Sequence, residues 1–430
     1  MLYFSMIDKI AGNTYYKSMR RILVGLVVGL LVWNCLVPIY AKTNEETYQE
    51  KLDQLKPDDV NGYYQLGLWC KQNKLLEQAK TQFNRVLELD PKHKKARQDM
   101  DNIIQSEKDV KIAEIIKKYG PYKGVLDKAG ADKENLLWEK AREKETEHFI
   151  VKTNLSNDAL QDTCFLLERA YFAVQDFLDF PEPNEKNIVY VSKSRTELEK
   201  IHQELLGRAF PPNQGGLSIY KEVSAPVALK NDYLLIQYLP PTKLTDPHIQ
   251  KVIQSKTTEV LIHEMTHYCC MLLGRQYRKS IPNITSMPIW LSEGLAEYFA
   301  PVNVDGNKLV TTLHELRVHE LKLIIQNGSY IRLDDFIHLS EKELNSNDHY
   351  AIAWGLVHFL MNSNGQKYKN GLKTYINRWG QGRLRIYDSK SNGLVWVVNQ
   401  EEHVKLFEEC IGVPIDQLEK EWKKYILQLK

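Results

Sequence analysis

Leu261-Ile262-His263-Glu264-Met265-Thr266-His267 lies within a helical pattern, with Val260, Leu261, Met271 and Leu272 spaced for one apolar face and Gly274 as a stop signal. On such a helix His263 and His267, four residues apart, leave the same face one turn apart. Two imidazole nitrogens so placed can reach one ion at about 2.0–2.1 Å. Glu264 follows the first imidazole and stands beside that ion, where a carboxylate can take a proton from bound water. Two histidines that merely pack or face solvent would show the same spacing, so the reading needs a third donor.

The next apolar-periodic stretch offers one. Met287-Pro288-Ile289-Trp290-Leu291-Ser292-Glu293-Gly294-Leu295-Ala296-Glu297-Tyr298-Phe299 reads as an amphipathic helix carrying two acids one turn apart. Catalytic zinc typically keeps three protein ligands and a water, often two His and one Glu. Glu293 can complete that set, and Glu297 can accept the outward N–H of a ligating histidine and hold its tautomer. A solvated helix face would also carry acids at this spacing, but the small Gly294 and Ala296 suit a helix packed closely on another.

Together His263-Glu264-x-x-His267 and Trp290-Leu291-x-Glu293-Gly294-x-Ala296-Glu297 resemble the gluzincin metallopeptidases, most of all the peptidase MA-like group of exported bacterial proteins. The Glu-Gly-x-Ala helix is also similar to that of M1 aminopeptidases. The resemblance covers residues 148–430 and implies a thermolysin-like domain with zinc on His263, His267 and Glu293 and with Glu264 as general base. Gluzincins carry a downstream helical Tyr or His that hydrogen-bonds the tetrahedral oxyanion. In Asn347-Asp348-His349-Tyr350-Ala351-Ile352-Ala353-Trp354, Tyr350 is similarly placed, His349 is its rival, and an aromatic that only packs with Trp354 is the plain alternative. Asp348 is expected to cap this helix. No Gly-x-Met-Glu-Asn stretch lies upstream, which argues against strict aminopeptidase activity.

The rest of the chain frames this half. Its 430 residues are 43% hydrophobic and 26% charged, which excludes wholesale disorder. With 57 Lys plus Arg against 55 Asp plus Glu, there is no basic footprint for nucleic acid. Of six cysteines, Cys35 lies in an apolar run, and the others form no Cys-x-x-Cys pair, so thiolates do not supply a metal site. Cys269 and Cys270 read as small buried hydrophobes on the histidine-bearing helix, and the isolated His358 and His403 as structural.

Residues 22–41 are apolar apart from Asn34 and follow Arg20 and Arg21, which predicts export of what comes after, by a signal peptide cut at Ala41 or by an uncleaved membrane anchor. Residues 42–57 read as a polar linker. Asp58-Asp59 then opens a helical hairpin in which Leu66-Gly67, Ala79, Phe83 and Pro91 resemble a tetratricopeptide repeat, and a helix from His93 to Ile104 follows. A plain helical spacer has equal standing with a repeat that binds a protein partner. The expected divisions are thus 1–41 for targeting, 42–107 for the hairpin segment, 108–147 for a charged linker with one short helix, and 148–430 for the catalytic domain.

Within that domain, strands are expected at 148–153, 187–191, 217–220 and 233–238, with a helix at 156–177 and helical periodicity from about 249 onward: an α+β pattern of mixed sheet followed by a helical half. The expectation is an exported zinc metallopeptidase acting on peptide or protein substrates, with the fourth strand, 233–238, as the edge an extended substrate would join. The rival readings are a non-catalytic envelope scaffold with a vestigial metallopeptidase-like domain, and a membrane-tethered adaptor.

Overall fold

The computed structural model describes residues 42–128, 130–134, 136–212, 214–221, 229–240, 256–278, 287–305, 308–340, 342–381, 386–388, 393–395 and 400–430. The apolar run at 22–41, with its targeting readings, lies outside them. Among the described residues no helix is long and apolar enough to cross a membrane. The chain divides into two compact units, Met1–Val110 and Lys111–Lys430.

In the first unit, α1 (Asn44–Asp53), α2 (Val60–Gln72) and α3 (Leu76–Leu89) precede α4 (Lys94–Tyr119). Asp59 caps α2 by accepting the Gly62 N–H at 2.8 Å. Leu66, Cys70, Ala79, Phe83 and Val86 form the core. A Cβ on Gly67 would lie 2.6 Å from the Phe83 ring, so glycine is what lets α2 and α3 close together.

Two stretches differ from expectation. Residues 42–57 include α1, opened by a Thr43–Glu46 capping box and tied down where the Gln82 amide donates to the buried Tyr48 hydroxyl at 2.7 Å. The segment expected as a charged linker, 108–147, contains the end of α4. Ile115 and Tyr119, one turn apart on that helix, are buried in the core of the second unit, as are Leu126 and Ala131. Charge dominates this segment and Val110 and Leu137 are exposed, yet these four side chains face inward.

The second unit opens on a mixed sheet of β1 (Arg142–Glu145), β2 (Phe149–Thr153), β3 (Asn187–Ser192), β4 (Gly216–Ile219) and β5 (Tyr233–Gln237). The order is β1-β2-β3-β5-β4, with β2, β3 and β5 parallel and the outer β1 and β4 antiparallel. The strand expected to be the edge, 233–238, is therefore internal. Leu234 and Ile236 face one core and Leu235 the other, so its Leu-Leu-Ile run is covered on both faces, which suits a central strand. Among the described residues the edges are β1, which is charged throughout, and β4. Helix α5 (Asn157–Leu178) covers one face of the sheet and α6 (Arg195–Leu206) the other.

A helical half follows: α7 (Thr257–Arg278), α8 (Ile289–Phe299), α9 (Glu315–Asn327), the short α10 (Leu333–Phe336), α11 (Asn347–Asn362), α12 (Lys369–Gly380), α13 (Gln400–Ile411) and α14 (Ile415–Gln428). Two hairpins that the periodicity did not show interrupt it: β6 (Val302–Asp305) with β7 (Lys308–Thr311), and β8 (Ile386–Asp388) with β9 (Gly393–Val395). Gly274 does not stop α7, because its backbone stays helical and the chain runs on to Arg278. The cap of α11 is Ser346, whose hydroxyl accepts the His349 N–H at 3.2 Å, and Asp348 falls in the first turn. The architecture is mixed α+β.

Two histidines of this half sit in the packing. The Tyr425 hydroxyl lies 3.0 Å from His358 Nδ1, and His403 Nδ1 lies 3.0 Å from His338 Nδ1. Burial pushes His358 down to about 4, and burial followed by the neighbouring His338 pushes His403 down to about 3. A folded value below the unfolded one (about 6.5) means the unfolded chain binds more protons in between, so this stability is complete above about 6.5 and is lost as pH falls. Replacing His358 with Gln is expected to remove on the order of 2 kcal/mol from the drop in stability between pH 7 and pH 4.5. Urea unfolding of both proteins at the two pH values reads this, and equal drops would refute it.

Candidate metal centre

The face of α7 decides which of its side chains reach solvent. Leu261, Ile262, Met265, Tyr268 and Cys269 are buried against the core shared with α5, and this turns His263, Glu264 and His267 toward the other side. The start of α7 is tied down by Asp127, whose carboxylate accepts the Thr258 N–H at 3.1 Å and also meets the Thr258 hydroxyl. Cys269 and Cys270 are buried free thiols, and burial pushes Cys270 up to about 12.

Helix α8 lies against α7 on one side and α11 on the other. Trp290, Leu291, Leu295 and Ala296 are buried. A Cβ on Gly294 would stand 2.6 Å from the Ala353 carbonyl oxygen and 2.6 Å from Val357 Cγ2, so glycine permits the close α8–α11 crossing. A backbone carbonyl cannot step aside as a side-chain end can. Gly294→Ala is therefore expected to cost about 1–3 kcal/mol of stability by overpacking, read by denaturant unfolding. An unchanged midpoint would show that the two helices separate freely.

The two helices bring three donors together. His263 Nε2 and His267 Nε2 are 3.0 Å apart, and Glu293 Oε2 lies 3.5 Å from the first and 3.4 Å from the second. This is the one group of three or more such side chains, among the described residues, whose donor atoms lie within 4.8 Å of one another. Glu293 Oε2 is buried and has no hydrogen-bond partner among the described residues, only those two imidazoles. An orphaned buried carboxylate oxygen is costly unless something positive faces it.

The outer ring nitrogens are held differently. His267 Nδ1 lies 3.0 Å from Ser292 Oγ, so an Nδ1–H donated there leaves Nε2 free as a donor to an ion. Glu297 is expected to do the same for a ligating histidine, and His263 is the one it faces. Its Oε1 stands 3.7 Å from His263 Nδ1, within ion-pair range but too far for a hydrogen bond. The reason is Arg317 of α9, which donates to both Glu297 oxygens, at 2.9 and 3.2 Å, while His314 Nε2 lies 3.4 Å from Oε2.

The field over the donors is negative. Burial opposes charge on His263, yet Glu293, Glu297 and Glu264 outweigh it and push that imidazole up to about 9. Burial would raise Glu293, but the His267 and His263 imidazoles hold it far below the usual carboxylate range. Burial and the Arg317 charge press His314 down to about 4 against the pull of Glu297. Tyr350 is pushed up to about 12, first by burial and then by Glu293 and Glu297, and so stays a proton donor at neutral pH.

A cleft of about 640 Å³ opens over these groups, lined among others by Gly215, Gly216, His263, Glu264, Arg317 and Tyr350. Tyr350 thus shares the cleft with Glu264, and the Arg317 guanidinium sits 5.6 Å from its ring centroid. His349 packs beside Phe336, and its Nδ1 is buried with no hydrogen-bond partner among the described residues. The Ser218 hydroxyl of β4 lies 2.7 Å from Glu264 Oε2.

Ser292, Ser218, His314 and Arg317 were not singled out from sequence. Ser292 had a signal, being a hydroxyl adjacent to a candidate ligand. The other three come from a distant strand and from the stretch at the start of α9, which no local pattern ties to the motif.

No curated protein matches this chain. Residues 257–378 match a family described as a protein of unknown function (DUF1570), and that stretch runs from the start of α7 into α12, so it contains His263, Glu264, His267, Glu293, Glu297 and Tyr350.

Proposed function

We propose that the protein is a zinc-dependent peptidase of gluzincin type. The observation that carries this is the triangle of His263, His267 and Glu293 with Glu264, which is not part of the triangle, beside it. Three donors at about 2.0–2.1 Å from a tetrahedral ion lie about 3.3–3.4 Å apart, and the observed separations of 3.0, 3.4 and 3.5 Å fit such a face. A two-His, one-Glu set with a carboxylate close by is the composition of a hydrolytic zinc site rather than of a closed structural one. The chemistry zinc supplies there is Lewis-acid activation of a water and of the scissile carbonyl.

The chain's own residues do the rest. Glu264 accepts the proton of the attacking water and returns it to the leaving amine. Tyr350, protonated at neutral pH, donates to the developing oxyanion from the side of the cleft. An extended peptide lies in the cleft along β4, whose outer backbone groups are unpaired by any described strand.

The test is zinc content by elemental analysis alongside cleavage of a panel of unstructured peptides. The expected result is one zinc per chain, cleavage abolished by a chelator, and cleavage restored by added zinc. A chain that retains stoichiometric zinc and cleaves none of the panel would overturn the peptidase reading.

A further inference from the structure

Strand β4 runs beside α7 and meets the Glu264 side chain twice. Alternation along the strand puts Leu217 and Ile219 in the core with Leu198 and Ile201 of α6, and turns Gly216 and Ser218 toward α7. At Gly216 a Cβ would lie 2.7 Å from Glu264 Cγ, 2.7 Å from Val260 Cγ1 and 3.1 Å from Glu264 Oε1. Only glycine lets the strand come this close to the carboxylate stem. One pleat further on, Ser218 Oγ lies 2.7 Å from Glu264 Oε2 and 3.0 Å from the Glu264 carbonyl oxygen.

A serine hydroxyl carries one proton and two lone pairs. Both Glu264 oxygens within reach of the Ser218 hydroxyl compete for its one proton, and a charged acceptor wins over a carbonyl already used within the helix. Glu264 Oε2 is then held from behind, and Oε1 remains the oxygen able to receive a proton.

We propose that Ser218 is a positioning residue for Glu264: it fixes the carboxylate so that one oxygen is bound to the protein and the other is offered to the water. This rests on the peptidase reading, in which Glu264 is the base. A residue that only straps the strand to the helix would affect the zinc ligands on α7 as much as it affects turnover. A residue that orients the base affects turnover alone.

Ser218→Ala and Ser218→Thr are compared with the wild type in full-length protein, measuring kcat and KM on a cleaved peptide and zinc affinity by competition with a chromophoric chelator. The expected result is a kcat lower by about 10–100-fold in Ser218→Ala, with KM and zinc affinity within about 3-fold of wild type, and recovery of kcat in Ser218→Thr, which keeps the hydroxyl. The proposal is overturned if kcat is unchanged in Ser218→Ala, if zinc affinity falls in step with kcat, or if threonine fails to restore it. Wild-type protein that binds zinc but cleaves nothing overturns the peptidase reading and this role with it. An active wild type with a neutral Ser218→Ala overturns this role alone.

Discussion

Glu264→Gln is expected to keep its zinc and lose its turnover. The amide is nearly the same size, leaves His263, His267 and Glu293 untouched, and can still accept from Ser218 at 2.7 Å, so the local structure has no reason to move. What it cannot do is accept a proton at neutral pH. General-base assistance contributes about 10²–10⁴-fold, and kcat should fall within that range with little change in KM. Steady-state cleavage of one peptide, with zinc measured on the same samples, reads both sides. Cleavage that persists at the wild-type rate would remove Glu264 from the chemistry, and loss of zinc together with turnover would mean the residue holds the ion.

The second large effect is expected at Glu293. Its Oε2 is the vertex nearest both imidazoles, and in Glu293→Gln the charge that draws a cation is gone. The two histidines remain 3.0 Å apart with no anionic partner closing the triangle, and a neutral pair on one helix turn is a weak chelate. Zinc affinity should fall by more than the about 10–100-fold that loss of an outer hydrogen-bond partner costs, with activity lost in proportion. The variant should still fold, since glutamine matches glutamate in size and the packing of the two helices does not depend on the charge. Competition with a chelator together with thermal unfolding separates these outcomes. Wild-type zinc affinity in Glu293→Gln would show that the third donor is another residue.

The two predictions divide the site by chemistry: one side chain holds, the other works. They also fail separately. A scaffold carrying a vestigial site would lose zinc in Glu293→Gln but have no turnover for Glu264→Gln to abolish.

Much of the centre was legible because it is local. His263, Glu264 and His267 lie within one helix turn and a residue, and Glu293 to Glu297 within another, so helical spacing alone says which side chains share a face. The strands at 149–153 and 187–192 were legible for the same reason, as was α5. Local patterns failed where the deciding neighbour is far along the chain. Residues 108–147 looked like a linker because charge dominates them, yet Ile115, Tyr119, Leu126 and Ala131 are buried by partners distant in sequence. The order of strands was missed as well: β5 and β4 are consecutive, and the Leu234-Leu235-Ile236 run, which suits a strand covered on both faces, was the one mark that β3 pairs with β5.

From its own residues, then, the chain specified a helix with two imidazoles and a carboxylate on one side and a second helix bearing acids, because both depend only on a 3.6-residue period. Folding alone determined that Glu293 meets those imidazoles at 3.4–3.5 Å, that Arg317 takes Glu297 away from His263, and that β4 rather than β5 lies beside Glu264. Those outcomes rest on crossings of helix and sheet set by buried volume, including the contacts that Gly216 and Gly294 leave room for, and volume is summed over the whole core rather than read along the chain.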